Sequence, residues 1–461
     1  MDASPTSAAA TDAAAGKARP HVVVVGGGFG GLSAVRHLKN TEVDVTLIDR
    51  HTYNTFQPLL YQVATATLNP GDITWFLRSI RAGQDNVRYI KGTVLRMDHE
   101  RKRLTLDGGQ VVGYDYLVIA AGVATNYFGV PGAAEYSMPL YRRSQALAVR
   151  DRVFANLEEA AINGQDRDLR VVVVGGGATG VETAGAFAEM RNRDLPTTYP
   201  ELDRKRTHIT LVEQAPFVLA PFHPKLREYG RKALIKRDVD LRLSTPVKEV
   251  RPDGVVVGDD EFLPAGVVIW ASGVTAHEVV GDWDVPQGRG GRIRIDDHLR
   301  VQGLDCVFAI GDIAVEDGDR ALPQVAQPAL QGGKHVAKTI ANDIRSEWTK
   351  PFSYTDKGTM ATIGRSSAVA DLKLPLVGSG LRLTGFIAWA LWIGLHIVTL
   401  MGNRNRFATL INLSARYLFP SQNAIVGETP TVVVMNGESV ESVRPQDEMG
   451  TSPDGGDPTR R

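Results

Sequence analysis

Six glycines and two acids define the chemistry this chain can do. The segment VVVVGGG occurs at residues 22–28 and again at 171–177, and each copy runs on into G-x-G-x-x-G. The first copy is Gly26, Gly28 and Gly31; the second is Gly175, Gly177 and Gly180. Each follows a run of β-branched residues and precedes a helix-like segment, the context in which such a turn grips a dinucleotide. One glycine makes the tight turn, one lets the backbone approach a pyrophosphate, and one lets helix and strand pack closely. The helix N-terminus then offers free N–H groups to the phosphates. Asp49 ends the run VDVTLID, 18 residues past Gly31, where a carboxylate accepts hydrogen bonds from an adenosine ribose. Glu213 ends THITLVE in the same way, 33 residues past Gly180. The charged stretch 191–206 accounts for that longer gap as an excursion between helix and strand. Gln214 follows Glu213 with no adjacent arginine, so a ribose 2′-phosphate would be repelled and NADH is favoured over NADPH. Two dinucleotides in one chain imply an electron relay.

The elements that must hold these residues repeat along the chain. YDYLVIAAG closes the first segment at Gly122, and VVIWASG closes the second at Gly273. Strand, glycine turn, helix, strand, acid, strand and glycine turn thus recur as an internal repeat. The reading is an α/β fold with two Rossmann-like dinucleotide-binding domains. Residues 86–112 alternate apolar and polar, with Asp107-Gly108-Gly109 as a hairpin turn, and the basic run 101–103 decorates a solvated turn. Later, LDCVFAIGD returns to the first domain with Gly311 and Asp312. Asp312 can accept from polyol hydroxyls, and the segment after it can open a second helix toward a pyrophosphate.

Composition narrows the field. Fifty-two basic residues balance 52 acidic ones, so nothing points to a nucleic-acid partner. The single cysteine, Cys306, reads as a small buried hydrophobe. One cysteine excludes an intramolecular disulfide, a C-x-x-C pair and any cysteine-based zinc or iron–sulfur site; no metal site is expected. Residues 1–19 lack an apolar core segment and read as a disordered tail, not a secretory signal; Asp2 and Asp12 count against a mitochondrial presequence. Residues 437–461, rich in Pro, Gly and charge, read as a second disordered tail.

Residues 383–403 carry no formal charge and are bounded by Arg382 and Arg404. In 407–419, Phe407, Leu410, Ile411, Ser414, Tyr417 and Leu418 form one helical stripe. The first stretch is near spanning length, about 20 residues, but Thr384, Gly385, Gly394, His396 and Thr399 shorten its apolar core. An interfacial helix pair fits better, with Trp389 and Trp392 at head-group depth and Arg404, Arg406 and Arg416 near lipid phosphates. A spanning helix and an ordinary core or dimer helix are the alternatives, and the last leaves a homodimer open. His396 reads as an interfacial or core histidine rather than a proton relay.

Two dinucleotide folds with a VFAIGD strand resemble the two-dinucleotide-binding flavoproteins, in which the first site holds non-covalent FAD and an inserted domain holds NAD(P)H. That resemblance implies a discontinuous FAD domain, residues 20–140 and 280–380, around an NADH domain, 141–279, with membrane-anchoring helices at 381–425. Three segments are similar to type II NADH dehydrogenases, the single-subunit, non-pumping NADH:quinone oxidoreductases: FQPLLYQVATATL at 56–68, AQPALQGG at 326–333, and the apolar C-terminal stretch. The second matches the family's AQxAxQ pattern at Ala326, Gln327, Ala329 and Gln331, and there it lies by the flavin ring and borders the quinone pocket. Gln327 and Gln331 share a helix face, and uncharged amides suit a quinone carbonyl in a desolvated site. Glu182 reads either as an acid complementing the helix dipole or, by the family's GxGxxGxE pattern, as an acid near nicotinamide and flavin. The resemblance implies an enzyme that oxidises NADH and reduces menaquinone or ubiquinone through FAD. It implies attachment to a bilayer surface, on the cytoplasmic face of a bacterial inner membrane ahead of a mitochondrial one.

Three rivals stand beside it. A sulfide:quinone oxidoreductase needs a cysteine pair that Cys306 cannot supply. A soluble NADH:ferredoxin or rubredoxin reductase has no use for the apolar stretch 386–401. A flavin-binding signalling protein of the apoptosis-inducing type would differ by failing to reduce quinone rapidly.

Overall fold

The computed structural model describes residues 19–163, 168–316, 322–373, 380–418, 434–435 and 438–439. The expected N-terminal tail lies outside them but for Arg19, and so does nearly all of the expected C-terminal tail. Glu438–Ser439 within the latter pairs antiparallel with Val434–Met435. The chain divides into two compact units.

The first unit comprises the described parts of Met1–Thr52, Phe76–Val123 and Ala276–Tyr354. Its centre is a parallel sheet in the order Val307–Ala309, Tyr116–Ile119, His21–Val25, Asp44–Asp49, Val87–Lys91. Val22, Val23 and Val24 are fully buried, because a central parallel strand is covered on both faces and calls for a continuous β-branched run. The helices Phe29–His37 and Ala326–Ile344 pack tightly: a Cβ on Gly333 would lie 2.4 Å from the Gly30 carbonyl, and Ser33 Oγ donates to the Leu330 carbonyl at 2.7 Å.

The hairpin turn expected at Asp107-Gly108-Gly109 joins Arg103–Leu106 to Val111–Gly113, which form an antiparallel meander with Val94–Asp98, while Val87–Lys91 joins the parallel sheet. Two expectations in this unit need correction. No helix opens directly after Asp312. A single 3-10 turn, Gly311–Ile313, leads into the strand Ala314–Glu316, which pairs with Ile293–Ile295, and the long helix starts at Ala326. Cys306 is half-exposed rather than buried, since it precedes the strand Val307–Ala309 instead of lying in it.

The second unit comprises the described parts of Tyr53–Trp75, Ala124–Thr275 and Thr355–Arg461. Its parallel sheet runs Met138–Pro139, Val267–Trp270, Leu169–Val174, Thr207–Val212, Val239–Arg242. The helix Ala178–Glu189 continues through a π-helical turn, Met190–Asp194, into Leu195–Thr198. Stretch 191–206 is therefore largely added helix, not a loop excursion. Buried Arg191 holds it in place by donating to the carbonyls of Thr207, Asp238 and Arg237.

A small antiparallel sheet, Gly358–Thr362, Ala368–Leu372 and Leu381–Thr384, leads into the helices Gly385–Thr399 and Asn403–Leu418. Leu383 and Thr384 belong to the strand, so the apolar helix has only 15 residues. At 1.5 Å per residue that is about 22 Å, short of the roughly 30 Å hydrocarbon layer. Among the described residues no helix is long and apolar enough to cross a membrane, which removes the spanning alternative.

Both helices are two-faced. Phe386, Ile387, Leu391, Leu395 and Val398 are exposed on the first, and Phe407, Leu410, Ile411 and Leu418 on the second. Inward lie Ala388 and Trp392 on the first and Asn405, Thr409 and Leu413 on the second. Trp392, expected at head-group depth, is 1% exposed and belongs to the interior. Arg416, expected near lipid phosphates, instead forms an ion pair with Asp194 at 2.7 Å. Asn412 Nδ2 donates to Asp72 Oδ2 at 2.6 Å, which fastens the second helix to the segment after residues 56–68.

Candidate active site

In the first unit the strand His21–Val25 delivers the chain into Gly26, whose φ is +104°. A Cβ there would lie 2.3 Å from the Ala120 carbonyl oxygen, and one on Gly31 would lie 1.9 Å from that of Gly26. These two glycines are demanded by the protein's own packing. Gly28 is different: a Cβ there would meet nothing within 4 Å. The N–H of Gly27 donates to Asp49 Oδ2 at 2.6 Å and the N–H of His51 to Asp49 Oδ1 at 2.7 Å. Asp49 therefore fixes the turn beside it as well as offering a carboxylate edge. Gly122, in the left-handed region at φ +66°, follows the neighbouring strand. Gly311 lies against the long helix, where its Cβ would be 3.2 Å from that of Ala329. This brings Gly311 and Asp312 to the segment that carries half-buried Gln327 and Gln331, one turn apart on the same helix.

The second unit repeats this construction. Gly175 has φ +111°, with the Ala271 carbonyl oxygen 2.9 Å from a built Cβ. A Cβ on Gly180 would lie 1.8 Å from the Gly175 carbonyl oxygen, while one on Gly177 would meet nothing within 4 Å. The N–H of Gly176 donates to Glu213 Oε2 at 2.5 Å and the N–H of Ala215 to Glu213 Oε1 at 2.7 Å. Gly273, at φ +71°, is followed by Val274–Thr275, which pairs with Ala124–Thr125.

Glu182 lies in the second turn of the helix Ala178–Glu189, not the first, and is buried. The surface dipole reading therefore does not apply. Burial pushes its carboxyl up to about 8, against the opposing pull of the Thr362 N–H, which donates to Oε1 at 3.2 Å, and of the Trp392 indole N–H. A close approach makes this possible: a Cβ on Gly185 would lie 3.0 Å from the Gly364 nitrogen, so helix and strand end nearly touch.

Around that acid lies a group of side chains that sequence reasoning did not assemble. Tyr61 Oη and Thr362 Oγ1 share a hydrogen bond of 3.0 Å, and Gln62 Nε2 donates to Tyr61 Oη at 2.9 Å. Gln62 is 4% exposed and its Oε1 is buried with no partner. Burial, and then the nearby Glu182 charge, hold the Tyr61 phenol well above its ordinary value. The Trp392 ring lies edge-on to Tyr61 at 6.2 Å and stacks on His396 at 3.8 Å. His396 Nδ1 donates to the Trp392 carbonyl at 2.6 Å, and burial holds the imidazole down to about 4, so it is a neutral packing group. Tyr61 and Gln62 fall inside the segment 56–68, but the Thr362 and Trp392 side chains that meet Tyr61 come from about 300 residues away.

Two fingerprint turns, each on its own parallel sheet and each braced by its own carboxylate, are the construction of a two-dinucleotide oxidoreductase. The model of the pyridine nucleotide-disulphide oxidoreductase family matches residues 20–333. The chain is 37% identical over 412 residues to the type II NADH:quinone oxidoreductase NdhA of Mycobacterium tuberculosis, covering 85% of this chain and 86% of that one. It is 32% identical to a type II NADH:quinone oxidoreductase of Staphylococcus haemolyticus, over 76% of this chain and 89% of the relative. The fold matches that of NDH2 from Plasmodium falciparum in complex with NADH, with TM-score 0.78 at 21% identity, over 87% of this chain and 99% of that one. The chain belongs to the type II NADH:quinone oxidoreductases. The redox disulphide in the broader family's description has no counterpart here, because Cys306 is the only cysteine.

Proposed function

We propose that the turn at Gly26, Gly28 and Gly31 holds FAD, and that the turn at Gly175, Gly177 and Gly180 holds NADH. As a type II enzyme the protein oxidises NADH and passes the electrons to a membrane quinone. The observation that carries the site assignment is the open space at Gly28 and Gly177, set against the crowding at the other four glycines. Packing within the chain accounts for four of the six, and a pyrophosphate lying against the backbone accounts for the remaining two. FAD held there would supply the chemistry, hydride acceptance from NADH and two-electron release, with the chain's residues holding and orienting it.

The chain's own residues position and protonate. Asp49 and Glu213 accept from ribose hydroxyls, with Gly122, Gly311 and Asp312 serving the first site and Gly273 the second. Gln327 and Gln331 present uncharged amides to the quinone, whose species, menaquinone or ubiquinone, is left to assay. Glu182, its carboxyl held near 8 by burial, carries a proton at neutral pH and can release it when quinone is reduced. The exposed apolar faces of the two C-terminal helices seat the protein on a bilayer surface from one side.

The test is the purified full chain. Gly28→Val should lose FAD while Gly177→Val keeps it. In stopped flow, Gln327→Leu should leave flavin reduction by NADH intact and slow reoxidation by quinone. A defect confined to the NADH half would move the Gln327 segment to the nicotinamide side. Full FAD content in Gly28→Val would overturn the assignment of the first turn.

A further inference from the structure

The loop that follows Glu213 leaves the carboxyl end of the second unit's parallel sheet and is tied down along its length. The N–H of Ala215 donates to Glu213 Oε1 at 2.7 Å, and the N–H of Leu219 to the Gly176 carbonyl at 2.7 Å. Beyond the next strand, Val239–Arg242, the N–H groups of Ser244 and Thr245 donate to the carbonyls of Ala215 and Glu213 at 3.0 and 2.9 Å. Val218 and Leu219 are buried, and Leu219 lies in the left-handed region at φ +55°. A bulky residue keeps that conformation only where its surroundings impose it. Its side chain fills the room left by Gly230, whose Cβ would lie 3.0 Å from Leu219 Cδ1.

Phe217 breaks this pattern, being 37% exposed beside two buried neighbours. Arg227, on the helix Pro224–Ile235, covers one face of the ring with its guanidinium 4.1 Å from the centroid. The guanidinium is held there by donating to the Ala220 carbonyl, and its Nε is buried with no hydrogen-bond partner. The cation stiffens the ring from behind and leaves the exposed area on the other face and the edge. Isolated apolar side chains on a surface are ordinary; this one is fixed by a loop bonded to the glycine turn and to its acid.

We propose that Phe217 is the platform on which the adenine of NADH stacks, with Arg227 as the residue that positions its ring. This rests on the reading that the second glycine turn holds NADH. A dinucleotide runs from pyrophosphate to ribose to base. With the pyrophosphate against Gly177 and the ribose on Glu213, the base lies past Glu213, toward this loop. Phe217 is two residues from Ala215 and two from Leu219, so its Cα lies within roughly 7 Å of both. Adenine is flat, aromatic and uncharged, and an offset stack on a ring is the contact that suits it. The ring is already fixed, so binding orders little that was free.

The experiment uses the flavin-loaded full chain, whose first turn is occupied. ADP-ribose then reports on the second, because it carries the adenosine and pyrophosphate without the nicotinamide. Phe217→Leu keeps an apolar side chain and removes the ring; calorimetric titration should show ADP-ribose bound about tenfold more weakly. Phe217→Tyr keeps the ring and should bind like the native protein. In stopped flow, the NADH concentration giving half-maximal flavin reduction should rise by the same factor in Phe217→Leu while the limiting rate stays. Melting temperature should not move, since the side chain is already exposed. Native affinity in Phe217→Leu beside weakened binding in Gly177→Val overturns the platform and leaves the turn assignment standing. Native affinity in both overturns the turn assignment and the platform with it. A loss that Phe217→Tyr does not restore, or that accompanies a lower melting temperature, assigns Phe217 to holding the loop and overturns the stacking role.

Discussion

Gly177 and Gly180 lie three residues apart and should fail in opposite ways when given a side chain. At Gly177 the backbone is extended (φ −69°, ψ −178°), a conformation valine adopts readily, and nothing lies within 4 Å of a built Cβ. It caps the helix without a side-chain bond, so Gly177→Val should change stability by no more than about 1 kcal/mol. The added isopropyl group occupies the space assigned to the NADH pyrophosphate. Loss of hydrogen bonds to a charged group, about 1.5–3 kcal/mol, should weaken NADH binding roughly 10- to 150-fold. At Gly180 a Cβ would sit 1.8 Å from the Gly175 carbonyl oxygen, inside van der Waals contact with backbone that cannot retreat. Gly180→Ala should therefore cost stability at the upper end of overpacking, about 3 kcal/mol or more. Denaturant melts and NADH titrations on both proteins separate the two effects. If Gly177→Val melts as early as Gly180→Ala, or binds NADH like the native protein, the division between packing glycine and ligand glycine is wrong.

Glu182 should also show in stability against pH. Its folded value near 8 lies above the ordinary carboxyl value of 4.5, so the folded state holds a proton that the unfolded state gives up. Stability should fall as pH rises from about 4.5 to about 8, and Glu182→Gln should flatten that slope in urea melts taken across the range. Arg416→Met should destabilise by about 3 kcal/mol, because it strands the Asp194 carboxylate, whose side chain is 14% exposed. Asp194→Asn combined with Arg416→Met should recover most of this loss; equal melts for the single and double variants would refute the pairing. Glu213→Ala should weaken NADH use and lower the melting point together, since the carboxylate also receives the N–H groups of Gly176 and Ala215. A kinetic defect with unchanged melting would confine Glu213 to the ligand.

What could be read in the sequence was local. Strand, glycine turn, helix and acid lie within a few dozen residues of one another, and the spacing of Gly31 to Asp49 leaves little room for another arrangement. Glu213 was legible for the same reason, despite the lengthened helix before it. Glu182 was visible as an acid near a glycine turn, but its character depends on Thr362 and Trp392, 180 and 210 residues away. No periodicity encodes such a meeting. The charge-free stretch 383–403 looks equally apolar all round, so its inward stripe of Ala388, Trp392 and His396 appears only once Tyr61 and Phe56 are packed against it. Arg416 misled for the opposite reason: an arginine beside apolar residues suits a lipid surface until Asp194 is found opposite.

The π-helical turn at Met190–Asp194 bears on how the chain tolerates changes of length. Such a turn absorbs a single extra residue inside an α-helix by widening the ring of hydrogen bonds. Everything beyond it is rotated relative to an uninterrupted helix by about 100°, the angle one residue subtends. Asp194, the last residue of that turn, forms the ion pair with Arg416 of the last helix. A one-residue deletion within Met190–Asp194 would restore regular helix and improve the local geometry. It would also swing Asp194 off its partner, breaking the ion pair that joins the helix after the second glycine turn to the last of the two C-terminal helices.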